Sequence, residues 1–252
     1  MLRTILICAV VATPTVVAAQ VPGLTGTLII TNKSPSTATI LDVGSGRILA
    51  TLPTGQGPHE VVLSSDGGTA VVTDYSGEPG RTLTVIDVAA LKVLRTIDLG
   101  DYRRPHGIGF LPGDSLVAVT SEASGNVVVV NVREGRVLRA APTRQNGSHM
   151  VAVAADGRRA FTGNIGSNSV SEVDLATGEF VRMWSVPEAP EAINVTPDGR
   201  EVWVGSNNTG AVSMIDPASG KVKAAAEGFG RFPAEVRRGS RSRPTAATRS
   251  NR

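Results

Sequence analysis

The stretch that decides the fold is Pro58-His59-Glu60-Val61-Val62-Leu63-Ser64-Ser65-Asp66-Gly67-Gly68-Thr69-Ala70-Val71-Val72-Thr73-Asp74. An apolar run comes first, then a turn at Asp-Gly, then a β-branched run. Gly tolerates positive φ and Asp bonds its own backbone, so the pair reads as a tight turn between two strands. The same order returns from Pro105 (PHGIGFLPGDSLVAVTS), Ser148 (SHMVAVAADGRRAFTGN) and Pro190 (PEAINVTPDGREVWVGS), at intervals of 47, 43 and 42 residues. A fixed period of this length marks an array of supersecondary units.

A second block recurs between these stretches. It places Asp42, Asp87, Asn131, Asp174 and Asp216 in register, with Gly46, Leu91, Gly135, Gly178 and Gly220 four residues later. Asp-x-x-x-Gly is turn chemistry again. Each unit therefore reads as four short antiparallel strands rich in β-branched residues. No window shows sustained helical periodicity. The Asp-Gly aspartates Asp66, Asp156 and Asp198 read as turn residues, and Trp184 and Trp203 as packing between units.

Within the units, Val71-Val72-Thr73-Asp74 aligns with Ile29-Ile30-Thr31-Asn32, Ala118-Val119-Thr120-Ser121, Phe161-Thr162-Gly163-Asn164 and Trp203-Val204-Gly205-Ser206. These tetrads resemble the YVTN repeat of bacterial β-propellers, the group that includes lactonase-like and nitrous oxide reductase-like propellers. The resemblance runs over about residues 26–230. It implies an all-β chain, a β-propeller of four-stranded antiparallel blades. About five repeats are present: three strands of a first blade and four fuller blades. Propellers of this family usually carry seven, so the expectation is an incomplete seven-bladed ring. Open blade edges would favour self-association.

The ends differ from the repeat region. Residues 1–19 read as a secretory signal: Arg3, an apolar run from Ile5 to Val17, and small Val17-Ala18-Ala19 before Gln20. Cleavage there leaves residues 20–230 as the propeller, with no transmembrane segment, in a periplasmic or secreted protein. Cys8 is the single cysteine and lies in the signal, so disulfides and thiol chemistry are excluded from the mature chain. Residues 231–252 hold seven arginines and read as a disordered tail. The repeat stops there inside a strand. That favours a frameshift or truncation product over a functional basic tail or a five-bladed ring closed by the N-terminal strands. The tail also explains the net charge of +3, because residues 20–230 hold 17 basic against 21 acidic side chains. No basic face remains to argue for nucleic acid.

The three histidines, His59, His106 and His149, occupy one repeat position in successive units, and Glu191 holds it in the next. The resemblance places this position at the start of each innermost strand, beside one mouth of the central channel. Converging imidazoles would suit a transition metal, copper or zinc, with Glu191 as a further ligand. The arrangement is similar to the histidine-lined mouth of nitrous oxide reductase, which has more histidines and a further copper domain. The plainer alternative is that each ring bonds a backbone carbonyl. A lactone hydrolase would instead use His106 or Glu60 as general base and Arg104 to stabilise an oxyanion. No nucleophile elbow, phosphate loop or haem attachment motif occurs. The sequence therefore leans away from an enzyme, towards a scaffold that binds a ligand or an envelope protein.

Overall fold

The computed structural model describes residues 23, 25–77 and 80–230. The expected signal at 1–19 and the expected tail at 231–252 lie outside the described residues. Five antiparallel sheets follow one another along the chain. The first has three strands, β1 (Thr27–Asn32), β2 (Thr37–Asp42) and β3 (Ile48–Pro53). The second comprises β4 (Pro58–Leu63), β5 (Thr69–Asp74), β6 (Thr82–Asp87) and β7 (Lys92–Asp98). The third comprises β8 (Pro105–Phe110), β9 (Leu116–Ser121), β10 (Asn126–Asn131) and β11 (Arg136–Pro142). The fourth runs β12 (Ser148–Val153), β13 (Arg159–Asn164), β14 (Ser169–Asp174) and β15 (Glu179–Ser185). The fifth runs β16 (Pro190–Val195), β17 (Val202–Ser206), β18 (Ala211–Asp216) and β19 (Lys221–Ala226). Each four-stranded sheet is a meander, strands pairing in chain order. These are propeller blades, and among the described residues their ring is not closed.

The turns form where the sequence places them. Gly67, Gly157 and Gly199 take φ of 71°, 66° and 66° at the Asp-Gly turns, and Asp114 takes 53° in the Leu-Pro-Gly-Asp variant. In the second block, Gly46, Gly135, Gly178 and Gly220 donate their N–H to the carbonyl of the Asp or Asn four residues before. Leu91 fills that register with φ of 52°. A non-glycine residue held there carries roughly 1 kcal/mol or more of backbone strain.

The core lies between sheets, in four layers. Val71, Leu83 and Val85 of the second sheet meet Val117, Val119, Val128 and Val130 of the third. Ala118, Val127 and Val129 face the other way, onto Ala160, Val173 and Leu175 of the fourth. A blade covered on both faces must bury every residue of its middle strands, which explains unbroken apolar runs such as Val127–Val130. The end blade differs: β18 alternates buried and half-buried residues. Alternation along the neighbouring β17 corrects the expectation for Trp203 and not that for Trp184. Trp184 packs in the layer between the fourth and fifth blades with Phe161, Val202 and Val204. Trp203 lies between Val202 and Val204 in sequence and so faces away from that layer, its Nε1 donating to Glu201 3.0 Å away.

One feature of every complete blade positions the site. The innermost strand carries a register shift near its start, between Pro58 and Val61, Pro105 and Ile108, Ser148 and Val151, and Pro190 and Ala192. Each is a one-residue bulge. Bulges turn a side chain out of the regular alternation. Their first residues are His59, His106, His149 and Glu191.

Candidate metal centre

The innermost strands of adjacent blades pack side by side, so the four bulges form one row. The imidazoles stack along it. Ring centroids are 4.3 Å apart for His59 and His106, and 3.5 Å for His106 and His149. Spacing follows the residue after each histidine. Gly107 lets β8 approach β12 so closely that a Cβ there would lie 2.6 Å from the Met150 Cα and the Val151 N. Thr120 of β9 ties the same two blades by donating to the His149 carbonyl at 2.5 Å, and Thr31 donates to the His59 carbonyl at 3.1 Å.

The outer two histidines are held alike. His59 Nδ1 lies 3.3 Å from Glu60 Oε1, and His149 Nδ1 lies 3.1 Å from Glu122 Oε2. Burial pushes the Glu122 carboxyl up, but hydrogen bonds from His149 and Tyr75 and the nearby Arg104 cation outweigh it and hold it below the usual range. An ionised carboxylate only accepts, so His149 Nδ1 donates to it. The same pairing at Glu60 occupies the His59 Nδ1. A ligating histidine ordinarily has its second nitrogen fixed in this way.

His106 sits between them and differs. It is 2% exposed, and its buried Nδ1 has no hydrogen-bond partner. Burial, then the neighbouring His149 and His59, depress it to about 3, so the ring is neutral at pH 7 and available to a metal. The fourth register position completes the row. Glu191 Oε1 lies 3.8 Å from His149 Nε2, and Asn207 donates to Glu191 Oε2. Two ligands on bonds of about 2.0–2.1 Å stand roughly 3.3 Å apart in a tetrahedral zinc site, close to this spacing. Donor atoms of His59, Glu60 and His106 lie within 4.8 Å of one another, and so do those of His106, Glu122 and His149; the two groups share His106, and neither gathers all three histidines or includes Glu191.

Arg104, which the lactonase reading would use on an oxyanion, donates to the Tyr75 hydroxyl and lies 3.6 Å from Glu122. Glu60 is paired with His59. Tyr75 in turn donates to Glu122 at 3.0 Å and sets its ring edge-on against His59 and His106.

Tyr75, Glu122 and Asn207 did not stand out in the sequence. They share a register with Lys33 and Ile165, the residue directly after each tetrad. That register was the available signal, because it opens at the same end of the blade as the histidines.

Comparison with known proteins agrees with this architecture. Residues 113–237 match the YNCE-like beta-propeller family. The chain is a β-propeller, and its blades are consistent with YVTN-type repeats. Among solved structures, this propeller is similar to hydrazine synthase of Kuenenia stuttgartiensis, with TM-score 0.68 and 22% identity over 79% of this chain and 62% of that one. A functionally unknown protein from Desulfotomaculum acetoxidans gives 0.68 and 17%, over 82% and 68% of the two chains. Virginiamycin B lyase from Staphylococcus aureus gives 0.66 and 15%, over 79% and 66%. These likenesses concern the fold. The propeller spans about two thirds of the length of the structures it matches. No curated protein matches it. No helix of the described residues is long and apolar enough to cross a membrane.

Proposed function

We propose that this propeller is an exported binding protein whose site is a transition-metal centre at the channel mouth. His59, His106 and His149 are the ligands, with Glu191 as the fourth. The observation that carries this reading is the contrast within the row. Two imidazoles have Nδ1 on a carboxylate, and the third is buried with an orphaned nitrogen. An unpaired buried polar atom costs about 1–3 kcal/mol, so an unliganded row of this kind is poorly satisfied. Three neutral nitrogens and a carboxylate suit copper or zinc, with copper the tighter of the two. Bound there, the metal would supply a Lewis-acidic position facing the channel.

Metal analysis and titration of the purified chain test the reading. Stoichiometric binding is expected, lost in the combined His59→Ala, His106→Ala and His149→Ala variant. Binding that survives in that variant, or none in the parent chain, would leave the histidines as ordinary repeat residues and return the propeller to a metal-free scaffold. The lactonase reading gains no support at His106, because a group depressed to about 3 is a weak general base at neutral pH.

A further inference from the structure

The wall beside the histidine row carries cations. Tyr75 stands against His59 and His106, and two positive side chains lie over its ring. The Arg104 Cζ is 4.6 Å and the Lys33 Nζ 5.4 Å from the ring centroid. Arg104 is tied to Tyr75 and Glu122, yet its side chain remains 52% exposed. Lys33 is exposed and makes no ion pair among the described residues. It follows β1 at the register that Tyr75 and Glu122 hold in the next two blades, so three adjacent blades place Lys33, Tyr75 and Glu122 along one edge of the mouth.

We infer that this wall is an anion subsite, and that the propeller takes a small carboxylate whose charge is met by Lys33 and Arg104 while it reaches the metal. The inference rests on the metal reading above. Its chemistry follows from charge. Imidazole ligates a metal as an uncharged donor, so the nitrogen ligands leave a dication uncompensated. Glu60 and Glu122 are turned to the Nδ1 atoms and offset part of it, and Glu191 offers one carboxylate. Lys33, Arg104 and the metal together favour an anion that joins or displaces Glu191 on the metal, and a guanidinium donates two N–H groups side-on to a carboxylate. A neutral ligand of the same shape would gain none of this.

The test uses the copper-loaded full chain, titrated with oxalate and with its neutral diamide, oxamide, and followed by the copper absorption spectrum. Lys33→Glu is the diagnostic variant, because among the described residues Lys33 makes no side-chain hydrogen bond or ion pair that holds the fold. Oxalate should perturb the spectrum and oxamide should not. Lys33→Glu should weaken oxalate about tenfold, as expected for reversing one nearby charge in a partly solvated site, with copper affinity retained. Equal binding of oxamide, or unchanged oxalate affinity in Lys33→Glu, would overturn the anion subsite and leave the metal centre standing. Failure to bind copper at all would instead remove the metal reading beneath it.

Discussion

Gly107→Ala is expected to unfold at markedly lower denaturant than the parent chain and to lose the metal site with it. The added Cβ would fall 2.6 Å from the Met150 Cα, 2.6 Å from the Val151 N and 2.8 Å from the His149 O. All three are backbone atoms of the neighbouring blade, so no side chain can swing aside. β8 and β12 must separate, and His106 and His149 move apart with them. Overpacking of a tight interior typically costs about 1–3 kcal/mol, and the upper end applies where backbone meets backbone. Gly109→Ala is the matched control in the same strand. Its Cβ meets only a methyl, Val153 Cγ2 at 3.2 Å, which has room to yield. Equal stability for the parent and Gly107→Ala in urea unfolding, with metal binding intact, would show that the close approach of these blades does not set the site.

Asp74→Asn should stabilise the chain at neutral pH and do little in acid. Asp74 ends β5, 1% exposed, and burial raises its carboxyl to about 6 against the hydrogen bonds it accepts from Thr82 and Thr84. A raised carboxyl favours the protonated fold. The stability it lends is present below about 4, the unfolded value, and lost as pH rises through about 6. Two units correspond to about 3 kcal/mol. Asparagine is native to this register: Asn32 donates to Thr37 and Thr39, and Asn164 donates to Ser169 and Ser171. His106 runs the other way. Its depressed value means stability present above about 6.5 and lost as pH falls towards 3. The measurement is therefore the difference between Asp74→Asn and parent unfolding free energies at pH 4 and pH 7.5, in which the His106 contribution cancels. A difference that does not grow with pH would mean that Asp74 ionises without penalty.

The blades and the histidine row were legible in the sequence for the same reason. Both repeat a residue type at a fixed period, so self-alignment brings His59, His106 and His149 into one column. The second row, Lys33, Tyr75, Glu122, Ile165 and Asn207, holds five different residues at one register and shows no common chemistry in alignment. Its partners also lie across blade boundaries: Glu122 reaches forward to His149 and back to Tyr75. Such pairings depend on how neighbouring blades dock. The bulges were hidden as well. Nothing in Pro58-His59-Glu60-Val61 announces an extra residue, because the apolar pattern on either side remains continuous.

Each histidine of the row belongs to a different blade, and this bears on how the repeats hold together. In a linear array of units, each is stabilised only by its immediate neighbours, and ends can fray independently. A ligand seated on the second, third and fourth blades at once binds only when all three are docked. By mass action it then stabilises the docked state by about 2.7 kcal/mol when present at a hundredfold its dissociation constant. The centre would thus serve as a clasp. It would convert three units that loosen one at a time into a block that opens together.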